Sequence, residues 1–257
     1  MKIGIFDSGL GGITVFREIL KRNIKNDFYY LADNKNTPYG TKDKSKVKKY
    51  IEKNVKYLID IGCQIIVVAC NTPTALSIKL LRKKYPNIIF IGTEPAIKVA
   101  ADDKDKTKIL VTATTTTLQE EKLNNLISNL QIKDEVELLP LDKLVIFAEQ
   151  NIDKERAEAY LKNKLSKYDL SKYSHIVLGC THFPLFKEEF ERIAPNTKIL
   201  DGSRGIANNL KEKLRNLKVK ETNTSISLIL TKDDVNFVYN YKRMLEFHVD
   251  NVKLYNN

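Results

Sequence analysis

Short runs of β-branched, apolar residues alternate with helix-spaced apolar patterns along almost all of this 257-residue chain. Runs at 2–6, 28–31, 64–69 and 88–91 read as strands, and 13–21, 44–62 and 75–84 read as the helices between them. In the longest of these helices Val47, Ile51, Val55, Leu58 and Ile59 recur at helical spacing. A second series has strands at 109–112, 136–139, 175–178 and 198–200, with helices at 118–130, 154–165 and 185–193. Helix 206–217, strand 225–230, helix 235–245 and a terminal strand near 249–254 complete the chain. Strands without polar alternation are buried on both faces, and their alternation with helices builds mainly parallel sheets covered on both sides. The expected fold class is therefore α/β. The charged stretch 102–108 and the turn 201–205 mark boundaries between two lobes. Residues 1–98 with 206–257 are expected to form the first lobe, carrying Cys70, and 99–205 the second, carrying Cys180.

Two of the strand-like runs end in matching settings. One is Ile65-Ile66-Val67-Val68-Ala69-Cys70-Asn71-Thr72-Pro73, the other His175-Ile176-Val177-Leu178-Gly179-Cys180-Thr181-His182-Phe183-Pro184. The likeness suggests a duplicated half. The turn after a parallel strand, at its carboxyl end, is where α/β folds build their sites. Asn71 or Thr72 can cap the helix that follows Cys70, with Pro73 in its first turn. A helix N-terminus favours a thiolate, so the thiol pKa is expected to fall below about 8.5. Cys63 follows Gly62 at a helix end without polar neighbours and reads as a small buried hydrophobe. Three cysteines are too few for a disulfide framework and odd in number, which fits free thiols. No C-x2-C or H-x3-H spacing accompanies them, so no metal site is expected. His175 and His248 read as structural or exposed.

After the first strand comes Asp7-Ser8-Gly9-Leu10-Gly11-Gly12, whose glycines permit a tight turn and close approach. It is not a dinucleotide fingerprint, because Thr14 stands where the third glycine belongs, and no phosphate-binding lysine follows. A carboxylate at Asp7 repels phosphate and suits an ammonium or a proton-transfer partner. Pro38-Tyr39-Gly40 follows the second strand, and Thr112-Ala113-Thr114-Thr115 closes the first strand of the second series. Hydroxyls and backbone amides at strand ends can hold a carboxylate, although the threonine run alone reads as β-branched strand filler. Lys and Arg number 43 against 32 Asp and Glu, a formal net charge of +11. The lysines are dispersed, acidic residues interrupt the densest runs, and no nucleic-acid motif accompanies them. These are solvated faces whose summed field draws an acidic substrate. No apolar run approaches the roughly 20 residues of a membrane span. The N-terminus shows no signal-peptide core, so a cytoplasmic location is expected.

Five motifs in order now carry a family resemblance. They are Phe6-Asp7-Ser8-Gly9-Leu10-Gly11-Gly12; Asp33 with Pro38-Tyr39-Gly40; Ala69-Cys70-Asn71-Thr72; Gly92-Thr93-Glu94-Pro95-Ala96-Ile97-Lys98; and Gly179-Cys180-Thr181-His182-Phe183-Pro184-Leu185. Across nearly its whole length the chain resembles the glutamate racemases of the cofactor-independent aspartate/glutamate racemase superfamily. The resemblance implies two pseudo-symmetric lobes, each a mainly parallel sheet flanked by helices, with the active site in the cleft between them. It implies Cys70 and Cys180 as the two bases, Cys70 acting on the D-substrate and Cys180 on the L-substrate. Asp7 and His182 are implied as helpers, and Glu149 in Leu144-Val145-Ile146-Phe147-Ala148-Glu149 matches a further family glutamate. Ser8, Asn71, Thr72 and Thr181 are implied as substrate contacts, and Pro38, Tyr39, Gly40, Thr112 and Thr115 join them as candidates. No cofactor is implied, the substrate is glutamate, and the role is D-glutamate supply for peptidoglycan. Family members form various dimers, so a homodimer stays open. Pro73-Thr74 departs from the usual Ala-Ser, and Thr114 stands where Gly or Ala is usual. Two alternatives remain: a racemase of aspartate or hydantoins, and a thiol-based redox or binding protein.

Overall fold

A computed structural model describes residues 1–105, 107–150, 152–220 and 222–255. Lys106, within the expected boundary stretch, lies outside the described residues. The chain opens with β1 (Lys2–Asp7), α1 (Ile13–Leu20), β2 (Asp27–Ala32), α2 (Lys44–Asp60), β3 (Ile65–Val68), α3 (Asn71–Lys84) and β4 (Ile89–Gly92). Next come α4 (Ile97–Ala101), β5 (Lys108–Ala113), α5 (Thr115–Leu118), α6 (Glu121–Asn129), β6 (Val136–Pro140), α7 (Asp142–Glu149), α8 (Lys154–Leu165), β7 (Tyr173–Leu178), α9 (Lys187–Ile193) and β8 (Lys198–Asp201). Then α10 (Ser203–Asn216), β9 (Ser225–Leu230), α11 (Val235–Leu245) and β10 (Asn251–Leu254) complete it. Among the described residues the strands form a six-stranded sheet, β10-β9-β2-β1-β3-β4, and a four-stranded sheet, β6-β5-β7-β8. Every pairing is parallel. The chain leaves the larger sheet after β4, builds the smaller one, and returns through α10, which packs on α1.

The residues explain the layers. Ile3, Ile5 and Phe6 of β1 and all of β3 are buried, as branched strands covered on both faces must be. One face of the larger sheet carries α1, α10 and α11, which contribute Phe16, Ile19, Leu210 and Tyr241. The other carries α2 and α3, where Val47, Ile51, Val55 and Leu58 are fully buried. Burial of each such side chain stabilises the fold by roughly 1.5–3 kcal/mol. Asp43 caps α2 by accepting from the backbone of Ser45 and Lys46, each at 3.0 Å. Just past its end Gly62 adopts φ +93°, which a side chain would strain. On the smaller sheet, Leu144, Phe147, Leu161, Phe183 and Phe190 fill one face, and Ile97, Leu123 and Ile127 the other.

Three local readings change. The helix expected at 118–130 begins only at Glu121, because Glu120 is extended, and a separate short helix, α5, capped by Thr114, precedes it. Helices α4 and α7 lie where none was expected; the apolar stretch of α7 continues directly from the strand-like Leu138 to Leu141 and hid its change of period. After Cys180 the chain makes a short 3-10 turn, Phe183–Phe186, before α9 begins. Among the described residues no helix is long and apolar enough to cross a membrane.

Candidate active site

The glycine turn after β1 is where the two sheets meet. Asp7 ends β1, fully buried, and its Oδ1 accepts from the Gly9 amide at 2.7 Å. Its Oδ2 accepts from the Thr181 hydroxyl at 3.3 Å, across from the smaller sheet. Glu149, the last residue of α7, accepts from the Leu10 amide at 2.9 Å and lies 2.6 Å from His182 Nε2. The Thr14 hydroxyl donates to the Thr181 carbonyl at 3.0 Å. A Cβ on Gly9 would collide with the Glu149 carboxylate, and one on Gly11 would lie 2.5 Å from His182 Nδ1. Glycine is required here by close approach between lobes.

Cys70 and Cys180 share one cavity. Cys70 is the residue before α3, so neither Asn71 nor Thr72 is the cap; both lie inside the helix. Ser8 Oγ sits 3.5 Å from Cys70 Sγ, and His182 Nδ1 sits 3.7 Å from Cys180 Sγ. Both sulfurs belong to buried residues. The cavity, narrow and partly open to solvent, is lined by Ser8, Pro38, Tyr39, Gly40, Cys70, Thr72, Cys180 and His182. Thr41, Thr114, Asp142 and Val145 complete the lining, and none of these four was singled out as a contact from sequence. Asn71 and Thr181 line an adjoining cavity that also reaches Cys180. Thr112 and Thr115 are not brought to either. The Thr112 hydroxyl donates within the sheet to Val177 at 3.2 Å, and exposed Thr115 bonds the Asp142 carboxylate through its hydroxyl at 2.6 Å. Thr114, first past β5, lines the cavity instead, with its hydroxyl 3.0 Å from that of Thr117. The rule that sites gather at carboxyl ends of strands could have found it.

The electrostatics of the two sulfurs differ. Burial raises Asp7 from its ordinary 3.8 to about 6, with His182 opposing the rise. Burial, and then the Asp7 charge, hold the Cys70 thiol well above its ordinary 9.0. This reverses the expectation of a helix-lowered pKa at Cys70, because desolvation and a carboxylate outweigh the partial charge of one helix end. At His182 burial disfavours the charged ring, yet hydrogen bonds with Cys180 and Glu149 hold its pKa well above 6.5. Cys180 thus has an imidazolium beside it and Cys70 a carboxylate. Burial takes Cys63 up to about 12, as suits an inert core thiol. Among the described residues no group of three or more His, Cys, Asp or Glu is placed to hold a metal ion. Two sulfurs on one cavity, each with its own ionisable neighbour, can take a proton at one point and deliver one at another.

The fold agrees with comparisons to known proteins. The profile of the Asp/Glu/Hydantoin racemase family matches residues 17–209. A glutamate racemase of Halothermothrix orenii is 46% identical over 216 residues, 83% of this chain and 85% of that one. The structure of glutamate racemase isoform RacE1 from Bacillus anthracis has a TM-score of 0.86 at 25% identity, covering 99% of this chain and 97% of that one. That of the Francisella tularensis glutamate racemase, in complex with D-glutamate, has a TM-score of 0.84 at 24% identity, with the same coverage. The chain belongs to the Asp/Glu/Hydantoin racemase family, on the glutamate racemase branch. It is an isomerase.

Proposed function

We propose that this protein interconverts L- and D-glutamate by two-base proton transfer at Cα. The observation that carries the reading is that Cys70 and Cys180, held by different sheets, line one cavity. Inversion requires a proton to leave one face of Cα and another to arrive on the opposite face, and one base on each face avoids any crossing. Negative charge on Cys180 Sγ is stabilised by the His182 imidazolium, so Cys180 takes the α-proton of L-glutamate. Cys70, kept as a thiol by burial and Asp7, delivers its proton to the other face and D-glutamate results. The reverse reaction begins with Cys70 as base, assisted by Asp7. Glu149 fixes the His182 ring and stabilises its charge. Ser8, Thr72 and the backbone of Tyr39 and Gly40 hold the substrate carboxylates, with Asn71 and Thr181 reaching in from the adjoining cavity. Positioning and fixed donors in the cleft lower the barrier, and no cofactor takes part. Among the described residues, β1 through β4 with α10 through β10 make one lobe and α4 through β8 the other, α4 packing on the smaller sheet through Ile97. The cellular role is cytoplasmic supply of D-glutamate for peptidoglycan.

Single Cys70→Ser and Cys180→Ser variants test this reading. Each is expected to lose racemisation of glutamate by about a thousandfold or more, because a hydroxyl is a far poorer base than a thiolate. Circular dichroism should show an unchanged fold. Near-normal racemisation by either variant overturns the two-thiol assignment.

A further inference from the structure

Asp33 is a fully buried carboxyl group that the reaction described above does not use. It lies one residue past β2, and its amide donates to the Asp7 carbonyl at 3.0 Å, so it sits beside the active-site turn without facing the cavity. The residue is fully buried. Its carboxylate accepts from the Tyr39 hydroxyl, from Asn54 Nδ2 at 3.0 Å, from Asn36 Nδ2 at 2.9 and 3.1 Å, and from Thr231 Oγ1 at 2.7 Å. All these donors are neutral. Burying a carboxylate is costly, and a neutral side chain would fill the space at less cost, so stability alone does not account for it.

What the carboxylate holds is a wall of the cavity. Tyr39 is buried, stacked with Tyr50 at 6.2 Å between ring centroids, and lines the cavity that both cysteines share. Burial and Asp33 together keep the Tyr39 hydroxyl protonated, hence a donor. The next residue, Gly40, also lines the cavity, and its carbonyl accepts from the Thr116 hydroxyl of the smaller lobe at 2.6 Å. Its Cα packs so near Thr114 that a Cβ would lie 3.0 Å away. One line of contacts therefore runs from Asp33 through Tyr39 and Gly40 to the opposite lobe.

We infer that Asp33 is a positioning residue: through Tyr39 it fixes the wall that receives a substrate carboxylate and ties that wall to the second lobe. The inference rests on the glutamate reading for its kinetic consequence, but not for its structural one. A carboxyl group offers two acceptor oxygens in one plane, enough to gather donors from Tyr39, Asn54, Asn36 and Thr231, which suits a wall that must stay in register.

The test compares Asp33→Asn, Tyr39→Phe, the double variant and Thr231→Val. Thr231 bonds the same carboxylate without touching Tyr39, so Thr231→Val controls for a purely structural effect. KM and kcat for L-glutamate, melting temperature, and amide hydrogen exchange over 39–41 without substrate are measured. Asp33→Asn and Tyr39→Phe should each raise KM about tenfold or more, since small misplacements of a binding group cost large factors. The double variant should be no worse than the worse single one, because both act through the same bond. In Asp33→Asn the 39–41 amides should exchange about tenfold faster, given loss of the bond that orders them. Thr231→Val should lower the melting temperature yet leave KM and this exchange at wild-type values. Wild-type KM and exchange in Asp33→Asn, losses that multiply in the double variant, or a KM rise in Thr231→Val equal to that of Asp33→Asn would overturn the inference. Should Asp33→Asn fail to fold, Tyr39→Phe against Thr231→Val decides by the same readouts. Absence of glutamate racemisation in the wild type would refute the reaction instead, and the exchange data would still decide the role of Asp33.

Discussion

Asp7 holds its proton more tightly in the folded protein than in the unfolded chain, because burial raises it from 3.8 to about 6. A carboxyl of this kind favours the native state at low pH, and the advantage is lost as pH rises from about 4 to about 6. Above pH 6 the penalty is constant, about 3 kcal/mol for a rise of this size. Asp7→Asn is therefore expected to raise stability at pH 7.5 by up to about 3 kcal/mol and to flatten stability between pH 4 and 6, while kcat falls. Urea unfolding across pH 4–8, beside wild-type kcat/KM that declines below about pH 6, checks both signs; lower stability of the variant at pH 7.5 contradicts the account. At this scale the sequence was legible where residue type is rare and setting repeats, as for Cys70 and Cys180. It was not legible for Thr112 and Thr115, because which hydroxyl faces the cleft depends on where β5 ends. Successive strand residues point to opposite faces, so an error of one position changes the answer. The raised pKa of Cys70 was hidden for another reason: it comes from burial and from Asp7, which sequence distance does not reveal.

The turn after β1 shows how an element is shaped by what approaches it. Gly9→Ala drives a methyl group into Glu149 and so disturbs the Leu10 and His182 contacts of that carboxylate. The expected result is a fall in kcat/KM of about a hundredfold, as a small displacement of catalytic groups implies, with helix and strand content unchanged. Gly205 in α10 is the contrast, since a Cβ there meets nothing within 4 Å. Gly205→Ala should add about 0.5–1 kcal/mol of stability with unaltered activity, because it removes backbone freedom from the unfolded chain. Steady-state kinetics and denaturant titration of the two variants separate these effects; a harmless Gly9→Ala contradicts the close-approach argument. Strands and long helices were readable from period, as β3 and α2 show. Helix α7, which delivers Glu149, was not, because eight residues of helix following an apolar strand leave too short a window for the period to change visibly.

The whole molecule works as two parallel sheets whose strand ends confront each other. Alternation of strands and helices was enough to foresee parallel α/β layers, since that pattern admits few other arrangements. Closure between lobes was not foreseeable residue by residue. Bonds such as Thr181 to Asp7, Thr116 to Gly40 and Leu10 to Glu149 join positions 174, 76 and 139 residues apart, and no local pattern encodes them. That closure places a sulfur from each lobe on one cavity, and the account stands or falls on their division of labour. The most direct test follows L-glutamate and the wild-type enzyme in deuterated water by NMR and chiral separation from the first turnovers. The account predicts that newly formed D-glutamate carries deuterium at Cα while the remaining L-glutamate stays protiated, because the second thiol delivers a solvent-derived deuteron. D-glutamate that keeps its original α-proton would contradict it, since one base would then have moved the same proton across Cα.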